Sequence, residues 1–215
     1  MSNVKFITRA GVQQLIDSRT SDNAIIFLSG PTSRGTPLSL LQNNDVITVN
    51  GAAEYLLSNS ITPFIYVLTD ARFLLQRRHD FYQFSRASKF TVVNMDVYEA
   101  ATDDDKKYMR NHCFILRAFY KREKGGLFKK LKLEILSKWN KNLLIRVPAS
   151  KRKRLVGFSK DISLGYCSCH TVAYTAMQIA YSLGYDNTIC SGLDITGSCA
   201  RFYDESRNPM PSELS

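Results

Sequence analysis

Residues 24–35 read AIIFLSGPTSRG. Five apolar residues in succession, Ala24 to Leu28, show none of the alternation of a strand that keeps one face in water. Such a run predicts a strand buried on both faces, the kind found in parallel sheets covered by helices. It stops at Ser29-Gly30-Pro31-Thr32-Ser33-Arg34-Gly35, a loop rich in glycine and hydroxyl groups, and Pro37 to Gln42 offers a short helix behind it. In open α/β sheets the carboxyl ends of strands are where ligands bind.

The same unit recurs on both sides of this stretch. Upstream, Ala10 to Asp17 reads as a short helix followed by a polar turn, Ser18 to Asn23. Downstream, Val46 to Val49 is a second strand ending at Asn50-Gly51-Ala52-Ala53, with a helix through Glu54 to Leu57. Phe64 to Leu68 is a third strand ending at Thr69-Asp70, with a longer basic helix from Ala71 to about Phe84, and Phe90 to Val93 is a fourth. Strand-to-helix units in series predict a single Rossmann-like α/β domain with a mostly parallel sheet.

A second stretch, Cys167 to Asp204, carries the same logic at the other end of the chain. Val172, Ala173, Ala176, Ile179, Ala180 and Leu183 recur at helical spacing, and Gly184 supplies the stop. Ile189 and Cys190 then lead to Ser191-Gly192-Leu193-Asp194. Four strand ends therefore carry small, amide or acidic residues: Ser29 and Gly30, Asn50, Thr69 and Asp70, Gly192 and Asp194. A binding crevice is one reading; ordinary turn chemistry is the other.

At 215 residues and 44% hydrophobic composition the chain can bury a full core, which excludes wholesale disorder. No apolar run is long enough to span a bilayer, and the opening MSNVKFITRAG lacks the features of a signal peptide, so a cytoplasmic protein is expected. Five cysteines without framework spacing fit reduced thiols. Cys167, Cys169 and His170 could be soft metal ligands, but no second cluster accompanies them. Thr102-Asp103-Asp104-Asp105 could hold a divalent cation or could open a helix, whose positive end favours carboxylates. No metal is expected from either.

The charge sits in one place. Residues 121–160 hold 14 Lys and Arg against 2 acids, or +12; the rest holds 15 against 17, or −2, giving the chain's net +10. Phe128, Leu131, Ile135 and Trp139 share one helical face, with Lys129, Lys130, Lys132, Lys138 and Lys141 around it and Leu133 out of pattern. Lys151, Arg152, Lys153 and Arg154 add a second cluster. A basic helix bearing a tryptophan predicts a membrane-facing insertion for anionic lipid. Nucleic-acid binding and a solvated face packed on the sheet are the alternatives, the former without any nucleic-acid module signature.

The order of the blocks FLSGPTSRG, VNGAAEYL and LGYDNTICSGLDITG, followed by Phe202-Tyr203-Asp204, resembles bacterial sialyltransferases of glycosyltransferase family 42, and more closely the lipopolysaccharide-core Kdo transferases. The likeness covers most of the chain except the basic segment. It implies a variant nucleotide-sugar transferase fold and transfer of a keto-acid sugar from its CMP ester to a lipid-linked core acceptor. It also implies that hydroxyl and N–H groups, not a metal or other cofactor, meet the phosphate charge. Gly30, Pro31, Thr32 and Asn50 match the family's cytidine- and phosphate-binding positions, Asp70 or Thr69 a further asparagine, and Gly192 with Asp194 its ribose-side pair. Ser29 stands where the family has an asparagine, Thr196 replaces a phosphate-binding tyrosine, and Tyr203 or Phe202 aligns with a second one. Ser33 joins the loop as a hydroxyl donor.

The family's general-base histidine lies beyond the Phe202-Tyr203-Asp204 motif, whereas no histidine here follows His170. Either the chain is C-terminally truncated or another residue serves, and His170 is the candidate. The resemblance implies a peripheral place on the inner face of the inner membrane. The competing reading is an inactive remnant that binds lipopolysaccharide precursor or a partner enzyme there.

Overall fold

The computed structural model describes residues 4–120, 127–146, 156–169 and 171–194, with residues 120 and 127–130 as backbone only. Its centre is a six-stranded sheet in the order β10-β1-β2-β3-β4-β5, every pair parallel. The strands are β1 (Asn23–Phe27), β2 (Asp45–Val49), β3 (Ile65–Leu68), β4 (Phe90–Asn94), β5 (Cys113–Leu116) and β10 (Asn187–Ser191). The chain steps from β1 through β5 in one direction, and β10 returns to the other side of β1. That reversal is a topological switch point, the place where such sheets open a crevice.

The apolar runs become strands because both of their faces are covered. Alternate residues point to opposite sides: Ala24, Ile26, Ile47, Ile65, Val67 and Val92 enter one core, which α1 (Arg9–Asp17) and α9 (Val172–Ser182) cover. On the other side Ile25 and Phe27 pack with Leu41 and Leu56 of α2 (Leu38–Gln42) and α3 (Ala53–Ser58). Further along that side, Tyr66, Leu68 and Val93 pack with Phe73, Phe81, Val97 and Met109 of α4 (Ala71–Gln76), α5 (Arg78–Ala87), α6 (Met95–Ala100) and α7 (Asp103–His112). Local caps fix the helix starts: Thr8, Asp70, Asn94, Thr102 and Thr171 each accept a backbone N–H of the first turn.

Two features differ from the sequence reading, and between them one of its alternatives, a helix start at Asp103, is what the structure shows. The helix expected from Ala71 to about Phe84 is two helices, broken at Arg77, whose φ of −128° and ψ of 45° leave the helical region. No Gly or Pro marks the break. Asp103 to Asp105 open α7, and Thr102 with Asp105 makes a capping box, so that acidic run serves the helix. The basic segment is more than a helix: α8 (Leu127–Trp139) is followed by an antiparallel hairpin, β7 (Leu143–Arg146) with β8 (Val156–Ser159). A further small pair joins β6 (Ala118–Tyr120) to β9 (Tyr166–Cys167).

Leu133, out of pattern on the sequence, is what fastens α8. It is 8% exposed and packs with Leu143 and Cys167. Leu131, Ile135 and Trp139, roughly half a turn round the helix from it, are all exposed. Among the described side chains of α8, Leu133 is thus the buried one, and Leu131, Ile135 and Trp139 face outward.

Candidate functional site

The carboxyl ends of β10, β1 and β2 lie side by side. Phe27 pairs with Ser191 on one side and Thr48 on the other, so the residues that follow, Ser29, Leu193 and Asn50, stand at the same level. After β1 the chain turns through a 3-10 helix, Pro31–Gly35, in which the Ser33 N–H and hydroxyl both donate to the Gly30 carbonyl at 3.0 and 2.6 Å. Pro31 sits at the start of that turn, where its fixed φ suits the helix and its missing N–H costs nothing.

Asp194 closes the loop from the β10 side. Its carboxylate accepts the Thr32 N–H at 3.1 Å and the Thr32 hydroxyl at 2.6 Å. The Thr36 and Ser191 hydroxyls form a second short contact across the same seam. This approach needs glycine twice. A Cβ on Gly30 would lie 2.3 Å from an Asp194 carboxylate oxygen and 2.3 Å from the Gly192 carbonyl. At Gly192, φ is +78° and a Cβ would meet the Ser33 Cβ at 2.8 Å. Gly30, Thr32, Ser33, Gly192 and Asp194 are therefore in mutual contact across the β1–β10 seam.

Asn50 belongs to the same rim and differs from its neighbours in one respect. Its φ is +46°, a left-handed conformation that asparagine tolerates better than most residues, and it begins the short turn Asn50–Ala52. Its side-chain Oδ1 is buried and has no hydrogen-bond partner among the described residues. A buried acceptor left unmatched costs about 1–3 kcal/mol, which sets Asn50 apart from the other polar groups of this rim.

Asp70 is occupied. It caps α4 through the Arg72 N–H at 2.9 Å and pairs with the Arg72 guanidinium at 3.1 and 2.8 Å, which leaves its charge neutralised. Asn94, at the end of β4, is also engaged: it donates to the Thr69 carbonyl at 3.1 Å and accepts from the Val97 N–H at 3.0 Å. The residues that end β3 and β4 are thus engaged within the protein, and the closely packed loop contacts lie at the ends of β10 and β1.

Sequence reading missed two supports. Tyr55 stacks on Phe27 with ring centroids 5.5 Å apart and donates its hydroxyl to the Arg34 carbonyl at 3.2 Å, bracing the loop from α3. The Thr36–Ser191 contact is likewise invisible until the strands are paired. No local signal distinguishes either residue from its surroundings.

Cys167 is fully buried against Leu133 and Leu143, while Cys169 is exposed and contacts Thr171. The two sulfurs sit in different environments. Asp105 is spent on Arg78 and Tyr82, at 2.8 and 2.6 Å. Among the described residues no group of three His, Cys, Asp or Glu side chains gathers. His170, Tyr203, Lys151, Arg152, Lys153 and Arg154 lie outside the described residues, as do the side chains of Lys129 and Lys130. Among the described residues no helix is long and apolar enough to cross a membrane.

Comparison with known proteins adds what geometry alone leaves open. A family model described as 3-deoxy-D-manno-octulosonic acid transferase WaaZ matches residues 6–215. The chain is 66% identical over 215 residues to a probable 3-deoxy-manno-octulosonic acid transferase of Salmonella typhimurium, an overlap of 100% of this chain and 80% of that relative. A protein of the same description from Escherichia coli is 64% identical over 215 residues, covering 100% of this chain and 76% of its own length.

Proposed function

Because the chain belongs to the WaaZ family of 3-deoxy-D-manno-octulosonic acid (Kdo) transferases, we propose that it transfers Kdo, or a related keto-acid sugar, from its CMP ester to the lipopolysaccharide inner core. CMP occupies the crevice at the ends of β10, β1 and β2. The observation that carries this reading is the closure of the Gly30 loop onto Asp194, with the unmatched Asn50 Oδ1 beside it.

In the transfer, the acceptor hydroxyl oxygen bonds to the anomeric carbon as the bond from that carbon to the phosphate oxygen breaks. CMP departs with the electron pair, and the hydroxyl proton passes to a base. Little covalent chemistry is asked of the protein: it positions the partners, meets the departing charge and accepts a proton. Loop 30–36 brings the exposed cationic side chain of Arg34 to meet the phosphate charge, while the Thr32, Ser33 and Thr36 hydroxyls hold the loop in shape through Asp194, Gly30 and Ser191. Asn50 Oδ1 accepts from the cytosine amino group, and Asp194 with Gly192 flanks the ribose. Tyr203 contributes from the segment after β10, and His170 is the candidate base. The phosphate charge is met without a divalent cation.

The acceptor is lipid-linked, and the protein meets it as a peripheral protein on the cytoplasmic face of the inner membrane, through the basic segment with Lys129, Lys130, Trp139 and residues 151–154. Calorimetry with CMP tests the donor half: binding that persists in EDTA supports it, and binding that requires added magnesium overturns the metal-free reading. His170→Ala should abolish transfer while leaving CMP affinity unchanged; full transfer by that variant removes His170 from the chemistry.

A further inference from the structure

The rim of the crevice is made of separate loops, and one side chain ties two of them together. Tyr55 belongs to α3, which follows directly on the turn that Asn50 begins. Its ring lies on Phe27 of β1, with centroids 5.5 Å apart and planes 19° apart. Phe27 is fully buried and paired in the sheet on both sides, so it is a rigid floor for that ring. At the far end of the ring the Tyr55 hydroxyl donates to the Arg34 carbonyl at 3.2 Å. The turn after β2, which carries Asn50, and the turn after β1, which carries Arg34, are thereby joined.

The β1 loop is held from its other side by β10. The Asp194 carboxylate takes the Thr32 N–H and hydroxyl, and the Thr36 hydroxyl meets that of Ser191. The backbone is thus fastened at residues 32, 34 and 36, and those bonds set the direction in which the exposed Arg34 side chain leaves it. Space is open beside it: a Cβ on Gly35 would meet no atom within 4 Å.

We propose that Tyr55 is a positioning residue for the transfer: through the Arg34 carbonyl it aims the Arg34 guanidinium at the phosphate of the CMP ester. This rests on the reading of the crevice as the donor site, and it names a residue that acts on the donor without touching it. The charge balance says where its effect is felt. The ester phosphate carries one negative charge, and the freed phosphate of CMP carries nearly two at neutral pH. A cation held in place gains attraction as the bond to the sugar breaks, so it lowers the barrier more than it strengthens donor binding. Released from Tyr55, the Arg34 turn would have to be ordered when the phosphate arrives. The nucleoside would not feel that cost.

The ring and the hydroxyl of Tyr55 can be separated. Tyr55→Phe keeps the stack on Phe27 and removes only the hydroxyl, whose bond to Arg34 is exposed and can be replaced by water. Its melting temperature should stay within about 2 °C of wild type. A purely structural tyrosine would leave every ligand bound alike.

Calorimetry and steady-state kinetics on the full chain test the proposal. In Tyr55→Phe, CMP affinity should fall about fivefold, the scale of one hydrogen bond, while cytidine, which has no phosphate, should bind as to wild type. With CMP-Kdo and a lipid A–core acceptor, kcat should fall about tenfold and the donor KM should change by less than about twofold. Arg34→Ala should show the same pattern. Tyr55→Phe added to Arg34→Ala should change nothing further, because the residue it acts through is gone. Equal losses for CMP and cytidine, additive losses in the double variant, or wild-type turnover by Tyr55→Phe would overturn the proposal and leave the donor site standing. Wild-type protein that fails to bind CMP would overturn the donor-site reading, and this proposal with it.

Discussion

Gly30 and Asp194 are 164 residues apart in the chain and are in contact across the β1–β10 seam, so close that a Cβ at position 30 would stand 2.3 Å from an Asp194 carboxylate oxygen. A parallel sheet brings this about: β10 inserts beside β1, and Gly30 and Gly192, just beyond the two strands, have no room for side chains. Gly30→Ala must push Asp194 off the Thr32 N–H and hydroxyl. CMP affinity should fall by about tenfold or more, the scale of one or two lost hydrogen bonds, and calorimetry reads it. Unchanged affinity in a folded variant would detach this seam from the site.

Asn50 separates backbone from side-chain effects. Glycine takes its φ of +46° without strain, so Asn50→Gly keeps the turn and removes the amide. Melting temperature should stay level or rise, because an unmatched buried Oδ1 disappears with the side chain. CMP binding should weaken by about 1 kcal/mol or more. A stable variant with full affinity would show that the ligand never reached this amide.

Gln178 makes a stability prediction. Replacing it with leucine keeps the volume and removes the acceptor for two buried N–H groups, those of Ser159 and Cys167. The cost should be about 3 kcal/mol in denaturant unfolding, large for one residue in a domain of this size. A change below about 1 kcal/mol would mean that these groups find other partners.

Asp105 carries the acid sensitivity of the α5–α7 contact. Burial alone would raise its carboxyl pKa, but hydrogen bonds from Arg78, Tyr82 and Thr102 outweigh that and hold it below the ordinary aspartate value. A depressed folded pKa means that the ionised group stabilises the fold above the unfolded value near pH 4 and loses that contribution as pH falls through the folded value. Asp105→Asn should therefore melt lower than wild type at neutral pH, with the gap closing below about pH 4. A constant gap across that range would contradict the assignment.

Much of this arrangement was legible in the sequence because it is local. An unbroken apolar run such as Ala24 to Leu28 has few alternatives to a two-faced strand, and Gly30, Asn50, Gly192 and Asp194 mark strand ends by their chemistry. What could not be read was non-local. β5 follows α7 without a turn, so no loop signal sets Cys113 to Leu116 apart as a strand. Leu133 seemed a flaw in an amphipathic pattern because the pattern shows only which residues are apolar; the packing partner, Leu143 and Cys167, decides which face is buried. Asp70 illustrates the converse: its strand-end position pointed to a ligand, and Arg72, two residues on, occupies it.

A protein that moves a keto-acid sugar from a CMP ester to a lipid-linked core acceptor changes the mass of that acceptor. Incubated with CMP-Kdo and a lipid A–core acceptor on vesicles, the protein should add one Kdo residue per acceptor and release CMP in equal amount. Asn50→Gly should reduce that yield in parallel with its loss of CMP affinity. An acceptor whose mass is unchanged, with CMP bound normally, would contradict the account and leave a binding protein in place of a transferase.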